Sequence, residues 1–319
     1  MRIGVDLGGT KIAAGLTTED GELLFKKTSP TLPERGAEAV LADIAALCGA
    51  LSAENKTGEP VGSVGIGSPG LVDNKNGLFI YASNICFKNT PVRAVIGGRT
   101  GLPVFLANDA DAAALGESVR GSGRGCGDSI TVTLGTGIGG GTIIGGKILT
   151  GSFSGGGELG HHVIVVDGEP CPCGRNGCWE AYASASALRR DAIRLAEKRP
   201  DSRIAALAGG DLEKIEAKTV FDAAGQDDEA AKGLIDRYLT YVAEGLVNLI
   251  NIFQPEIIIL GGGICAQGDA ILKPVLEKVS NRMYGGELRT RLKIAELGND
   301  AGIIGAAMLY GSYTGVRKH

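Results

Sequence analysis

The sequence lacks the features that would place this protein in a membrane or outside the cell. None of its apolar runs approaches the roughly 20 residues that a membrane-spanning helix requires. The N-terminus enters an apolar strand pattern at Ile3, without the charged start, apolar stretch and small-residue cleavage site of a secretory signal. We therefore expect no membrane role and a cytoplasmic location.

An excess of positive charge is also missing. Lys and Arg number 32 against 36 Asp and Glu, which gives a formal net charge of −4. A protein without a basic face does not attract the phosphate backbone of a nucleic acid. We therefore expect no DNA or RNA partner.

The seven cysteines do not suit a disulfide framework, because their number is odd and three of them crowd together. With His161, one of only three histidines, the residues Cys171, Cys173 and Cys178 supply the four ligands of a tetrahedral zinc site with no open position. The alternative is three buried thiols beside a surface histidine. We favour a structural zinc in a protein of a reducing compartment. The remaining cysteines are expected to be packing residues: Cys48, Cys86, Cys126 and Cys265.

Length and glycine content favour a ligand-binding protein with two lobes. A chain of 319 residues is long enough for two domains with separate cores. Its 52 glycines stand in short clusters directly after apolar runs. Glycine at such places lets the backbone approach a ligand closely.

Two similar β-meanders are predicted, with strands at 3–7, 12–16 and 22–27 and again at 129–134, 140–144 and 147–149. Each contains a glycine-rich turn, Gly8-Gly9-Thr10-Lys11 in the first and Gly135-Thr136-Gly137 in the second. One such turn alone is more typical of an ordinary hairpin, which needs glycine for its positive φ. The repetition indicates an internal duplication of a unit whose backbone N–H groups hold phosphate oxygens.

The rest of the chain alternates buried strands with helices. Strands are predicted at 61–66, 104–107 and 256–260, and helices at 36–51, 110–117, 179–198, 229–253 and 301–310. This alternation is typical of an α/β fold, in which ligands bind at the carboxyl ends of strands.

Two acids stand at predicted strand ends. Asp109 follows Asn108 at the end of one strand and is either the N-cap of the next helix or a general base for an attacking hydroxyl. Asp6 precedes the first glycine-rich turn and either contacts that turn or positions Mg²⁺ through water. The residue types alone leave both pairs of alternatives open.

Two further features have open alternatives. Glu158 and Glu180 flank the zinc loop either as ligands for sugar hydroxyls or as solvated surface acids. Gly261-Gly262-Gly263 follows a buried strand either as a tight turn or as an open surface for a base or ribose.

These motifs together resemble the sugar kinases of the ROK family (repressors, open reading frames, kinases), and the resemblance covers essentially the whole chain. The segment Asp6-Leu-Gly-Gly-Thr-Lys11 is similar to the first phosphate motif of the family, Leu134-Gly-Thr-Gly-Ile-Gly-Gly-Gly141 to the second, and Gly261-Gly262-Gly263 to its adenosine motif. The most specific match is Glu158-Leu-Gly-His161 followed by Cys-x-Cys-Gly-x-x-Gly-Cys-x-Glu through Glu180, the sugar-and-zinc signature.

The resemblance implies an α/β, two-lobed actin-like ATPase (ribonuclease H-like) fold with duplicated glycine-rich β-meander phosphate units and a zinc-stabilised loop. We expect an N-terminal lobe over 1–116, with a C-terminal helix at about 300–319 packed back on it. The C-terminal lobe would cover 117–299 and contain the zinc loop 158–180 and the adenosine motif 260–264.

The resemblance also implies an ATP-dependent kinase for the C6 hydroxyl of a hexose, with Mg²⁺, a structural zinc and a homodimeric assembly. It makes Asp109 the catalytic base, and His161 would bind zinc through one ring nitrogen and face the sugar with the other. His162 departs from the apolar residue that many relatives carry there, so the choice of His161 as the ligand rests on its Gly-His context. The sugar ligands would be Gly70, Asn108, Asp109, Glu158, His161 and Glu180. The nucleotide would be held by Gly8, Gly9, Thr10, Lys11, Thr136, Gly137, Gly262 and Gly263, with Asp6 at the magnesium.

Glucose is the expected substrate, with N-acetylglucosamine, N-acetylmannosamine and other hexoses as alternatives and polyphosphate as an alternative donor. A sugar-sensing repressor of the same family would need a DNA-binding segment ahead of the first strand. That strand is predicted to begin at Ile3, so we expect a kinase.

Overall fold

The computed structural model describes residues 1–82, 85 and 87–314 of the chain. Cys86 and the last five residues of the predicted C-terminal segment lie outside the described residues. The strands are β1 Arg2–Leu7, β2 Lys11–Thr17, β3 Leu23–Pro30, β4 Ser63–Ser68, β5 Leu71–Asp73, β6 Leu78–Tyr81, β7 Lys88–Thr90, β8 Val104–Asn108, β9 Ser129–Leu134, β10 Ile138–Ile144, β11 Lys147–Ile148, β12 Ile257–Gly261 and β13 Arg291–Ile294. The helices are α1 Ala37–Glu54, α2 Val92–Thr100, α3 Asp109–Val119, α4 Glu180–Ala183, α5 Ala185–Lys198, α6 Arg203–Leu207, α7 Ala217–Ala224, α8 Glu229–Phe253, α9 Asp269–Ser280 and α10 Ala301–Thr314.

The first five-stranded sheet has the order β3-β2-β1-β4-β8. Its first three strands form an antiparallel meander, whereas β1, β4 and β8 run parallel. Strands β1, β2 and β4 are mostly buried because their central residues are apolar or glycine, whereas β3 at the edge of the sheet is largely exposed. The carboxyl ends of β1, β4 and β8 therefore meet at one edge, where Asp6, Ser68 and Asn108 lie.

The second five-stranded sheet repeats this plan in the order β11-β10-β9-β12-β13. Its β12 and β13 are parallel, and β10 and β11 are antiparallel. The same strand order in both sheets agrees with the predicted duplication of a meander followed by parallel strands. A small antiparallel sheet, β5-β6-β7, is a further element that the sequence did not predict.

The chain divides into two compact units. The first contains Met1–Thr131, Gly140–Gly157 and the C-terminal residues from Ala295 onward. The second contains Val132–Gly139 and Glu158–Ile294.

Helix α10 is built into the first unit through glycines. A Cβ atom at Gly4 of β1 would overlap the carbonyl oxygen of Ile303, and one at Gly65 of β4 would overlap that of Ala306. The same holds where α3 and α10 cross, since a Cβ at Gly305 would overlap the carbonyl oxygen of Ala112. Glycine at these places lets backbone pack directly on backbone.

One sequence-based prediction was wrong in detail. The segment predicted as one helix from 179 to 198 is divided into α4 and α5 by Ser184, whose backbone is extended. The Ser184 hydroxyl accepts a hydrogen bond from the N–H of Ala187, and the N–H of Ala185 donates to the carbonyl of Gly135 at 2.8 Å. The break thus starts a new helix with its own cap and leaves a backbone donor to hold the second glycine-rich turn.

No helix in the described part of the chain has the length and apolar character needed to cross a membrane.

Candidate active site

Asp109 is the first residue of α3, directly after β8. The N-cap of this helix is Asn108, whose side-chain oxygen accepts hydrogen bonds from the N–H groups of Ala110 at 2.9 Å and Asp111 at 3.4 Å. Asp109 also accepts from Ala110 at 2.9 Å. Asn108 is therefore the N-cap of α3, and the carboxylate of Asp109 is not needed to cap this helix.

Asn108 also connects two elements of the candidate site. Its side-chain N–H₂ donates to the carbonyl oxygen of Gly70 at 3.1 Å. Gly70 has φ +89°, and a Cβ there would overlap the backbone of Tyr81, so glycine is required at this turn. Gly70, Asn108 and Asp109 are thus brought together at the carboxyl ends of β4 and β8.

The electrostatic environment of Asp109 favours proton uptake. Desolvation by the surrounding protein raises the pKa of its carboxyl group above the ordinary value, although hydrogen bonds from the backbone of Ala110 and from Asn108 act in the opposite direction. A general base with a raised pKa binds a proton more strongly than an ordinary carboxylate.

Asp6 lies at the end of β1 in the same unit. Burial raises the pKa of Asp6 first, the negative charge of Asp109 raises it further, and Lys11 lowers it. The two carboxylates are therefore close enough to repel each other. Paired oxygen ligands of this kind suit Mg²⁺, a hard cation that binds one or two carboxylates and retains water.

The first glycine-rich turn is closed by its own backbone. The N–H of Gly8 donates to the carbonyl of Lys11 at 2.9 Å. Thr31 fixes the turn from outside, because its hydroxyl donates to the carbonyl of Gly8 at 2.6 Å and its N–H to that of Thr10 at 3.0 Å. Gly9 and the side chains of Thr10 and Lys11 are left at the surface of the turn, as phosphate binding requires.

The second glycine-rich turn has the same closure, with the N–H of Gly135 donating to the carbonyl of Gly137 at 3.0 Å. Thr136 lies at its centre. Glu180 holds the far side of the turn, because its Oε2 accepts the N–H of Ile138 at 2.8 Å. A Cβ at Gly137 would overlap this carboxylate. Sequence reasoning missed this contact, because a bond between residues 42 positions apart leaves no local signal.

The two glycines of the adenosine motif differ in their surroundings. Gly262 has φ +88°, and a Cβ there would lie within 3 Å of the backbone of Leu134. Gly263 faces open space, with no atom within 4 Å of a built Cβ. Gly262 thus satisfies the tight-turn alternative, whereas the open side at Gly263 is compatible with ligand approach.

The four predicted zinc ligands converge. The ligand atoms of His161, Cys171, Cys173 and Cys178 all lie within 4.8 Å of one another. His161 Nδ1 is 3.6 Å from Cys171 Sγ, and Cys173 Sγ is 3.6 Å from Cys178 Sγ. A tetrahedral zinc would set these separations at about 3.6 Å and about 3.8 Å from its usual bond lengths. The donor set and its spacing therefore fit zinc.

His162 is held away from this cluster. Its Nδ1 makes a 2.6 Å hydrogen bond with the carbonyl of Leu159, and its ring lies 5.3 Å from that of Trp179. Its buried Nε2 has no hydrogen-bond partner among the described residues. Of the two adjacent histidines, His161 is the one that the structure places with the thiols.

Glu158 is exposed and immediately precedes the 3₁₀ turn Leu159–His161. Its carbonyl accepts the N–H of His161 at 3.1 Å. A Cβ at Gly160 would overlap the carbonyl of Ile138, so this turn packs directly on the start of β10. The second unit thus places the turn that ends at His161 and the carboxylate of Glu180 against the start of β10, and Glu158 precedes that turn as an exposed residue.

Comparison with known proteins gives consistent results. The ROK family model matches residues 2–312. A glucokinase of Thermotoga maritima is 43% identical over 309 residues, covering 96% of each chain. Among solved structures, a ROK family glucokinase from Streptomyces griseus in complex with glucose and AMPPNP is 39% identical with a TM-score of 0.76, covering 97% of this chain and 98% of that one. A ROK hexokinase from Thermus thermophilus is 36% identical with a TM-score of 0.84, covering 99% of both chains.

These likenesses extend over both units and confirm the predicted α/β, actin-like ATPase fold. With the family model matching from residue 2 to residue 312, this chain belongs to the ROK family.

Proposed function

We propose that this protein is an ATP-dependent hexokinase that transfers the γ-phosphoryl group of ATP to the C6 hydroxyl of glucose. The proposal is supported by the glucokinase and hexokinase names of relatives 36–43% identical over nearly the whole chain. Within the chain, the observation that carries it is Asp109, a desolvated carboxylate at a strand end whose helix is capped by its neighbour Asn108.

Asp109 would act as the general base. Its carboxylate accepts the proton of the C6 hydroxyl as that oxygen attacks the γ-phosphorus, and the bond from phosphorus to the β,γ-bridging oxygen breaks to release ADP. Asn108, which contacts Gly70 and caps the helix that begins with Asp109, would hold these two residues in place for the sugar. Glu158, His161 and Glu180 supply the remaining polar groups that would hold its hydroxyls.

The two glycine-rich turns would hold the phosphates. Gly8, Gly9, Thr10 and Lys11 offer backbone donors, a hydroxyl and a positive charge. Thr136 and Gly137 offer donors from the second turn, and Gly262 and Gly263 border the nucleoside. Phosphoryl transfer depends mainly on such positioning and charge neutralisation.

Two metal ions complete the proposal. Mg²⁺ bound through Asp6 would neutralise charge on the transferring phosphoryl group. Zinc held by His161, Cys171, Cys173 and Cys178 would have no catalytic position open and would stabilise the loop that presents Glu158 and Glu180. Because His161 Nδ1 faces the thiols, its Nε2 would be available to the sugar. A cytoplasmic homodimer is the assembly that we expect.

The test is ADP release by the purified protein with ATP and Mg²⁺ against glucose, mannose, fructose, N-acetylglucosamine and N-acetylmannosamine. We expect the highest kcat/KM for glucose, and a loss of about 10²- to 10⁴-fold in kcat for Asp109→Asn, the usual contribution of a general base. Glucose binding measured by calorimetry should survive this substitution.

Asp43→Asn is the matched control, because Asp43 is a carboxylate on α1 that pairs with Arg35 at the surface. Full turnover by Asp109→Asn would overturn the assignment of the base. A preference for an N-acetylhexosamine would overturn glucose as substrate, and activity with polyphosphate alone would overturn ATP as the donor.

A further inference from the structure

The first unit contains a groove whose lining includes none of the residues assigned to the kinase reaction. Two adjoining cavities of about 680 and about 820 Å³ share Arg2, Glu19, Asp20 and Tyr310. The larger one lies along the C-terminal parts of α3 and α10 and the turn between β2 and β3. Volumes in this range are typical of small-molecule sites.

The floor of the groove is apolar. Leu115 and Val119 of α3 and Met308 and Tyr310 of α10 line it, and Leu115 and Met308 are buried. The arginines that line it are Arg2, Arg120 and Arg124.

Arg2 is the unusual member of this set. Its half-buried guanidinium lies 5.2 Å from the ring centroid of Tyr310 and donates to the thioether sulfur of Met308 at 3.6 Å. Thioether sulfur is a weak acceptor. Among the residues that the structure describes, no carboxylate lies within 4 Å of its nitrogen atoms. A guanidinium stacked on a ring keeps its N–H edge free for bidentate binding of an oxyanion.

Of the carboxylates at the groove, Asp20 is engaged by other partners. Asp20 pairs with Arg120 at 3.0 Å and accepts a hydrogen bond from the Thr18 hydroxyl. Glu19 and Glu59 are exposed residues of the lining. Arg124 is exposed at the rim and forms no ion pair within 4 Å in the described part of the chain. The hydrogen bond from Thr18 lowers the pKa of the Asp20 carboxyl, and the charges of Arg120 and Arg124 lower it further, so Arg124 is the more distant of the two arginines that act on Asp20.

We propose that this groove is a second small-molecule site, which binds a phosphate monoester with Arg2 and Arg124 on the phosphate and the apolar floor against the rest of the ligand. A phosphate monoester carries about −1.5 to −2 charges at pH 7, which matches two arginines better than a monocarboxylate does. The proposal does not depend on the proposed kinase function, because binding is measured without turnover.

The experiment is calorimetric titration with three probes: inorganic phosphate, phosphoenolpyruvate and glucose 6-phosphate. Each titration is made on the free protein and on protein saturated with glucose and AMPPNP, which would occupy the candidate active site. We expect at least one of the two esters to bind under both conditions and more tightly than inorganic phosphate. The comparison of the two esters shows whether the site prefers a small carboxylated ester or a sugar phosphate.

Arg2→Gln and Arg124→Gln should each weaken ester binding at least tenfold, while kcat/KM for the sugar stays within twofold of the unsubstituted protein. Arg2→Lys should recover only part of the affinity, because an ammonium group has no bidentate edge. The matched control is Arg289→Gln, an exposed arginine of the second unit that pairs with Glu287.

Three results would overturn the proposal: no binding of either ester to the unsubstituted protein at millimolar concentration, displacement of the ester by glucose with AMPPNP, or equal affinity in Arg2→Gln and Arg124→Gln. If Arg2→Gln does not fold, Arg124→Gln decides, because Arg124 is exposed and forms no ion pair within 4 Å in the described part of the chain.

Discussion

The carboxyl group of Asp109 is largely removed from water in the folded protein. Desolvation raises the pKa of Asp109. The pKa of the nearby Asp6 carboxyl is also raised, first by desolvation and then by the negative charge of Asp109. A raised folded-state pKa means that the folded chain binds protons more readily than the unfolded chain. The unfolding free energy therefore falls as the pH rises from the ordinary carboxyl range through the raised pKa.

The raised pKa of Asp109 leads to a prediction about stability. At pH 7, Asp109→Asn should raise the thermal midpoint while turnover is lost, because an uncharged amide replaces a desolvated charge. The gain should shrink as the pH falls through the raised pKa of Asp109, because the carboxyl of the unsubstituted protein then takes up a proton. Differential scanning calorimetry from pH 7 to pH 4.5 measures it, and a midpoint lowered by the substitution at pH 7 would contradict the argument.

The proposed role of Asp109 also predicts the activity on the acid side. A general base works only when ionised, so kcat/KM for glucose should fall about tenfold per pH unit below a pKa that lies above the ordinary value for aspartate, about 3.9. Initial rates with excess ATP and Mg²⁺ at fixed ionic strength locate the midpoint. An acid limb at or below pH 3.9 would show that Asp109 is not the titrating group.

The proposed zinc ligands allow a test at single side chains. Cys173→Ser and Cys178→Ser should lower the zinc content well below the one ion per chain that the proposed site would hold, because each removes one soft ligand of four. Their thermal midpoints should also fall. Cys265→Ser is the control, since Cys265 is a buried thiol of the same unit that lies outside the cluster. Full zinc occupancy in both substituted proteins would rule out the proposed site.

At the scale of elements, the crossing of α3 and α10 depends on the absence of side chains. Gly305 faces the backbone of Ala112, and Gly116 faces that of Ala301. Neither backbone can move without displacing a whole helix. Because α3 begins at Asp109, this crossing also fixes the direction in which the helix leaves the strand end.

Gly305→Ala should therefore destabilise the protein by about 3 kcal/mol or more, at the upper end of the usual cost of overpacking. Urea unfolding followed by circular dichroism measures this cost. Gly233→Ala on α8 is the matched control, because no atom lies within 4 Å of its built Cβ. That substitution should stabilise by about 0.5–1 kcal/mol through helix propensity. Equal effects of the two substitutions would contradict the close-packing explanation.

The elements also show how far sequence patterns reach. Helix α8 was predicted with its observed bounds, because 25 residues of regular apolar periodicity end at a Gln-Pro pair. The division at Ser184 was not predicted, because alanine-rich segments on both sides favour helix. The determining contact is tertiary, between Ala185 and Gly135. Local propensity cannot register a hydrogen bond to a turn 50 residues away.

A similar limit applies to the candidate site. The convergence of His161, Cys171, Cys173 and Cys178 could be predicted from the sequence, because they stand in one compact motif. The roles of Asp109 and the glycine-rich turns stay predictions. The assignment of the helix cap to Asn108 required coordinates, since both Asn108 and Asp109 are good capping residues. The bond from Ile138 to Glu180 likewise depends on how distant segments pack.

At the scale of the whole molecule, the two sheets share one strand order, and each carries one glycine-rich turn.

Ligands that bind the folded chain should stabilise it by mass action. Glucose at one hundred times its Kd should add about 2.7 kcal/mol to the unfolding free energy, visible as a rise of several degrees in the thermal midpoint. A sugar that is not phosphorylated in the ADP-release assay serves as the control, and an unchanged midpoint with glucose would contradict specific binding.

Trp179 gives the molecule an internal optical reporter. It is the only tryptophan of the chain, it is fully buried, and it stands between the predicted zinc ligand Cys178 and the candidate sugar ligand Glu180. Its indole N–H donates to the carbonyl of Tyr241 at 2.8 Å. Light emitted on selective excitation at 295 nm, roughly the red edge of indole absorption, would therefore come from this one position. A shift of its emission on adding a chelator or a sugar would report on the second unit alone, without any attached dye.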